Sequence, residues 1–504
     1  SVAVTGGGVN NISSAGGIDI DGDVVTLSGA TTGTSVDIDA DNGTVTANTV
    51  TASAGAASID ATGNIDVDDV SATTTARIVS SAGAVDVGDV SGTTGITVTG
   101  ADIDFTGANG AVQSANGGVA LSATAGGANN ISSGGALDID GTSITLSGAT
   151  TAPGAIDIDA TAGTVIANGV TSTASSVAVD ATGDIDVDTV AAATAARVVS
   201  SAGAVDVAAV SGGTGVTVGG TDIDMTGSIN AGTGTASLSA SAGDISTPGL
   251  FDVDGGAIVV SGPVNAGTGL DLDATAGGIT VTGGDMTSTL GNADLTATGA
   301  VSVEGIKVPG DISIVGAAIN FVGTLMSQGD VVLNAISGAL FGGPASAVMA
   351  PAGGLTATAL GGPLTLNAAS TLGDLSAVGG SVTLTGDSVI GSKATLQALA
   401  GNVHVVGSLN AAGGVMLIEA PAGTAIINQI ASSTDITLAV LDLDLTGTIS
   451  AGDQFNLSPS GTGRTIILGG SGGTDGVQLR RPQGFTLDAS ELTKIIASRL
   501  QFDA

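Results

Sequence analysis

The chain has no cysteine, no tryptophan and no tyrosine, and only seven phenylalanines, one histidine and nine basic residues among 504. Without cysteine, disulfides and thiolate zinc sites are excluded outright. Aromatics this scarce exclude a globular core built around large rings. A single histidine cannot assemble a transition-metal cluster. No run approaches the roughly 20 apolar residues of a membrane span. Ser1 opens without a charged-then-apolar signal segment, as expected of a mature or excised portion of something longer.

What is present is glycine, with 84 residues, and an apolar share of 42%, mostly Ala, Val, Ile and Leu. That share is too high for a disordered chain, so a narrow, aliphatic and repeated core is expected. Charge is lopsided, at −37 overall. Residues 1–300 hold 32 Asp and two Arg, whereas residues 301–504 hold 11 Asp, three Glu and seven Lys or Arg. Such a field repels nucleic acid and anionic lipid headgroups, and it attracts cations. Neither a nucleic-acid partner nor membrane insertion is expected.

Two repeats run through the sequence. The longer is about 120 residues: "NNISS" at Asn10 recurs at Asn129, "TLSGATT" at Thr26 recurs at Thr145, and "SSAGAVDV" at Ser80 recurs at Ser200. Between 61–90 and 181–210, 22 of 30 positions are identical, including Arg77 and Arg197, and a third, worn copy carries "LDLDATAGG" from Leu270. The shorter repeat is about 20 residues, marked by Gly43, Gly63 and Gly83 and by Gly163, Gly183 and Gly203. After Gly63 come Ile65, Val67 and Val70, and after Gly83 come Val85, Val87 and Val90. Two apolar residues around one polar residue give a short strand with one buried face, and the third apolar residue follows a corner.

Short strands, turn residues and a recurrence near 20 predict an all-β parallel solenoid, a β-helix in which each repeat is one rung. Hairpins are the rival, because Asn42-Gly43, Asn109-Gly110, Asn116-Gly117 and Asn168-Gly169 suit two-residue turns. Hairpins, however, give no reason to keep phase at 20 residues. About 25 rungs would fit, giving a rod roughly 120 Å long at about 4.8 Å per rung.

Composition divides the chain into an acidic stretch at 1–300, less acidic and Leu/Val-richer rungs at 301–459, and a C-terminal block at 460–504. In the middle stretch "LSAVGGSVTLTG" from Leu375 and "LQALAGNVHVVG" from Leu396 keep a 21-residue phase. In the last block "DASELTKIIASRL" places Asp488 and Glu491 in capping-box spacing, with Leu492, Ile495, Ile496 and Leu500 on one helical face. A short amphipathic helix covering the last open rung is expected there.

The 20-residue repeats, together with "SGTGRTIILGGSGGTDGVQLRRPQGFTLDASELTKIIASRLQFDA" from Ser460, resemble the large filamentous-haemagglutinin-like exoproteins of Gram-negative bacteria. The resemblance implies a right-handed parallel β-helix, secretion to the cell surface and a role in adhesion or biofilm.

The residues that invite a chemical reading are carboxylates. With Ile65 and Val67 inward, Asp66 and Asp68 point outward, and Asp66 falls beside Asp86 of the next rung, as Asp186 falls beside Asp206. Asp66, Asp68, Asp86, Asp186, Asp188 and Asp206 are therefore the candidate metal ligands, with calcium, which prefers flexible oxygen clusters, as the ion. The plainer reading is a solvated acidic surface. "DIDGD" at Asp19 lacks the remaining EF-hand ligands, and "GGSGGTDG" at Gly469 matches a calcium repeat only once. His404 takes an outward position between Val403 and Val405, a surface place with no triad partner indicated.

A carbohydrate-active enzyme would need an aromatic or basic groove that the sequence does not offer, and flat threonine ladders suited to ice occur only as scattered "TVT" and "TLT" units. No catalytic residue is assigned. Arg77 and Arg197 are placed either to neutralise a neighbouring Asp or to stand unpaired at the surface in the negative field, and Arg480 and Arg481 to meet a partner's acidic rungs. The expectation is a secreted or cell-surface structural rod, an adhesin stalk or matrix component. Its partners would be host or cell-surface ligands, or further copies joined head to tail. The alternative is a self-assembling subunit of an extracellular filament or surface layer.

Overall fold

The computed structural model describes residues 2–4, 11–106, 111–123, 130–460, 465–470 and 484–502. Asn109-Gly110, Arg480 and Arg481 lie outside them. The fold is an all-β parallel solenoid of about 22 turns, each of about 20 residues, with almost no helix. The chain divides into two compact units, residues 1–247 with 253–256 and residues 248–252 with 257–504.

In the first unit each turn has three faces. One turn runs through Ala57–Ala61 and then Ile65–Ala72, whose exposure pattern breaks alternation at Asp68 and Asp69. Two successive outward residues mark a corner: Ile65 and Val67 face the core from one side, and Val70 and Ala72 from the next. Pairing is parallel and one turn apart, with Ile65 beside Val85 and Val70 beside Val90. Inward columns are mostly aliphatic, with Phe105 stacked on Val87 and buried Ser or Thr at some strand ends, and Ile38, Ile59 and Ile78 stack in register with no exposed surface. A strand that adds one parallel neighbour at a time needs a crossover connection, which the other two faces supply.

The second unit repeats the scheme with larger inward residues. Ile314, Leu333 and Ala357 are successive in one column, all fully buried.

Glycine spacing reflects the close approach of one corner to the next. A Cβ on Gly83 would lie 2.5 Å from the Gly63 carbonyl carbon, and one on Gly203 would lie 2.5 Å from the Asp184 amide nitrogen. The same corner holds a buried serine in each copy. Ser80 Oγ donates to the Gly63 carbonyl at 2.7 Å and accepts from the Gly83 amide at 2.7 Å. Ser200 does the same with Gly183 and Gly203. The repeated "SSAG" thus serves rung stacking.

The hairpin alternative is not realised at the described sites. Asn168 and Gly169 lie inside the strand Val165–Ser172, with Gly169 in parallel register with Thr189. Turns of unequal length also lower the count from about 25 to about 22: Thr97 pairs with Ala120, and Ala120 with Thr145.

The C-terminal helix is present but covers only Ala489–Leu492. Ile495, Ile496 and Leu500, expected on its apolar face, belong instead to the strands Ile495–Ile496 and Arg499–Phe502. These pair with Ile449–Ser450 and with Gln454–Leu457. The physical reason is that an open strand edge offers a backbone partner to every residue, whereas a short helix is unfavourable to nucleate. Ile496 and Leu500 remain 62% and 48% exposed.

Leu333→Ala should lower the unfolding free energy by about 2–5 kcal/mol through the lost burial and the cavity left behind. Val332→Ala, outward and adjacent, should change it by less than about 0.5 kcal/mol. Chemical denaturation of both variants checks the assignment of inward and outward faces.

Candidate functional site

The outward columns place the sequence-derived carboxylates as follows. Asp66 is in register with Asp86, and Asp86 with Asp104. In the second copy Asp186 pairs with Asp206, and Asp206 with Asp224. Each three-carboxylate column ends on a serine, Ser132 donating to Asp104 and Ser246 to Asp224. Asp68 and Asp188 stand apart from these columns, at the exposed corners. Register places Gly88 opposite Asp68 and Ala208 opposite Asp188, so no carboxylate stacks on either in the next turn.

Other carboxylates cap backbone amides of the adjacent turn. Asp69 Oδ1 accepts from the Asp89 amide at 3.1 Å, and Asp184 Oδ1 from the Ala204 amide at 2.9 Å.

A second set of columns lies outside the sequence-derived candidates. Asp19 pairs with Asp37, and Asp21 with Asp39, which pairs in turn with Asp60. The copies are Asp138 with Asp157, and Asp140 with Asp159 and then Asp180. Carboxylate oxygens of Asp37, Asp39 and Asp60 come within 4.8 Å of one another, the tightest acidic grouping among the described residues. The "IDID" and "VDID" runs are its signal: two outward Asp per strand, repeated on the next turn.

Arginine completes each set. Arg77 bonds both oxygens of Asp60, and Arg197 reaches Asp180 at 2.9 Å. Both arginines are nearly half exposed, so the pairs contribute little to stability and chiefly offset local charge. A cation entering the Asp37, Asp39 and Asp60 group would compete with Arg77 for Asp60.

The two copies of the long repeat do not place equivalent carboxylates on the same side. Five full turns carry Asp19 through Asp37, Ser58, Arg77 and Thr97 to Ala120, and two further faces are needed to reach Asp138. The repeat therefore falls one face short of six turns. Asp66 follows Thr46 in one column, whereas its counterpart Asp186 follows Ile166, which traces back through Thr145 to Ala120 and the column of Asp19. Acidic patches consequently wind around all three faces of the first unit, and no single side is the acidic one.

Stacking shifts the carboxyls' proton affinity. Asp86 and Asp206 are pushed above the ordinary 3.8 by partial burial and then by in-column neighbours, Asp104 and Asp66 for the first, Asp186 and Asp224 for the second. Asp39, Asp140 and Asp157 are raised by partial burial, then by the second Asp of their own strand, Asp37, Asp138 and Asp159 respectively, and then by in-column neighbours. Asp180 is also raised, burial outweighing the Arg197 guanidinium. Asp374 and Asp387 are lowered, by the hydroxyl and then the amide bonds each accepts at Ser392 and Lys393 and at Ser408.

His404 is half-buried and outward, in register with Thr383 and Ile426. No carboxylate shares its column on either neighbouring turn. The stacked carboxylates form outward columns of like charge that attract cations.

No family model, curated protein or solved structure matches this chain. Its class is set by the fold, a parallel β-solenoid.

A raised carboxyl pKa means the folded state binds more protons than the unfolded state between the two values. The contribution is fully favourable below 3.8 and is lost as pH rises through the folded value. The thermal midpoint should therefore climb as pH falls from 7 toward 4, then level off as protonation of Asp374 and Asp387 acts in the opposite sense. Asp86→Asn should raise neutral-pH stability by a few tenths to about 1 kcal/mol and flatten the profile. Thermal unfolding across that pH range measures both effects.

Proposed function

We propose that the protein is a structural solenoid rod acting outside the cell or at its surface, as an adhesin stalk or extracellular matrix component. The observation that carries this reading is the division of labour along each turn. Inward positions are predominantly aliphatic over turn after turn of stacking, while outward positions vary without assembling a reaction centre among the described residues. Winding the acidic patches around every face of the first unit gives a like-charged coat on all sides. Such a coat favours solubility and disfavours sideways sticking, which suits a spacer. The resemblance to filamentous-haemagglutinin-like exoproteins points the same way.

The rod's partners in this reading are cell-surface or host ligands, with nucleic acid disfavoured by charge. A filament or surface-layer subunit is the second reading. It is favoured by the strand Arg499–Phe502, which pairs along one edge with Gln454–Leu457 and meets no strand along the other among the described residues. Calcium is the proposed ion for the acidic columns, bound weakly and without catalytic purpose.

Antibody labelling of intact producing cells, joined to negative-stain imaging of purified protein, tests the location and form together. Surface label and rod-like segments of about 50 Å per unit, from about 11 turns each, are expected. Label that appears only after lysis would overturn the extracellular reading. For the ion, calcium should raise the thermal midpoint relative to chelator, and Asp39→Asn should reduce that rise. Equal midpoints would leave the columns as solvated surface.

A further inference from the structure

Two outward columns on one face of the second unit differ from everything in the first. One runs from Ser313 through Val332, Thr356 and Ser376 to Asn456, and the other from Val315 through Val378 to Ser458. Within these two columns the only charged side chain is Glu419, and it accepts a hydrogen bond from Gln397 at 2.9 Å. One edge of the face is apolar, with Ile336, Leu360 and Leu399 each just past a strand end and 55%, 59% and 45% exposed. The opposite edge is mainly acidic: Asp330, Asp374 and Asp435 sit just before strands and accept the Gly354, Lys393 and Gln454 amides, with Lys393 the one basic residue at the same position.

We infer that this face pairs with the same face of a second copy, the two solenoid axes running antiparallel. Charge and width together select the surface. Two chains of −37 approach closely where outward charge is missing. The other two faces of this unit, whose columns Asn320 to Ile426 and Met326 to Ser450 also lack Asp, Glu, Lys and Arg, are narrower, with strands mostly of three or four residues against five here. A cationic partner would instead be drawn to the acidic columns of the first unit. Spacing selects the occupant. Columns of small and β-branched side chains recur at about 4.8 Å, and an identical face presents the same period, so side chains can settle between those opposite.

The extent is adequate. Eight turns by a five-residue strand cover roughly 650 Å² per partner, or about 1,300 Å² in total, at the lower end of stable interfaces. Orientation follows from the edges, since only an antiparallel two-fold brings the Ile336, Leu360 and Leu399 edges together. The acidic edges then also meet, so pairing should strengthen with salt. This pairing goes beyond the structural reading above and does not depend on where the protein resides.

Sedimentation of the full chain at low and at about 0.5 M salt should show a concentration-dependent dimer favoured by salt. Ser376→Asp, near the centre of the face, should weaken it about tenfold or more with an unchanged circular dichroism spectrum. As the chain has no cysteine, Ser376→Cys offers a direct readout. It should form a disulfide-linked dimer faster than Thr383→Cys, which lies outward on a neighbouring face. A monomer at high salt, an undiminished dimer in Ser376→Asp, or equal cross-linking at the two positions would overturn the pairing. Loss of surface label with the dimer retained would sink only the localisation reading.

Discussion

The parallel ladder between successive turns is the constraint on which everything else depends. The Val45 amide donates to Asn64, the Ile65 amide to Ala84 and the Val85 amide to Asp102, at 2.9–3.0 Å, so each turn's polar backbone is satisfied by its neighbours. Because the ladder fixes register, a residue's place in the 20-residue period fixes its direction. Inward places are then predominantly apolar, corners must admit close backbone approach, and outward places are left to vary. Buried Ser80 and Ser200 show how strict this is. Their hydroxyls are tolerated inside because each bridges two turns at a corner.

The same ladder explains the electrostatics. Stacking identical repeats stacks identical charges, so an aspartate on one turn finds another aspartate one turn away. Two remedies are visible in the chain. Arg77 and Arg197 end their columns by pairing with Asp60 and Asp180, and Ser132 and Ser246 end theirs by donating to Asp104 and Asp224. A third is geometrical: the long repeat falls a face short of six turns, so its second copy carries the acidic residues onto other faces. The first unit is thereby charged all round, and the charge-poor outward columns of the second unit stand out against it.

Much of this is legible in the order of residues. Alternation around Ile65 and Val67, the corner after them, the 20-residue glycines and the pairings of Asp66 with Asp86 and Asp186 with Asp206 follow from period two and period twenty. The grouping of Asp37, Asp39 and Asp60 is harder to foresee, because its "DID" runs are plain and its three members come from two different turns. The terminal helix is shorter than expected although Leu492, Ile495, Ile496 and Leu500 fit a helical face. The open edge of the preceding turn, absent from any local pattern, draws the last three into strands.

Sequence by itself determined the parallel solenoid, its inward and outward residues and its acidic character, because local periodicity and composition suffice for these. Only the tertiary structure decided which carboxylates share a side. That depends on how many turns a repeat occupies, and turn length varies with corners and loops whose effect accumulates along the stack. A shift of one face over 120 residues leaves no mark on the sequence, yet it moves Asp186 from the column of Asp66 to that of Asp19.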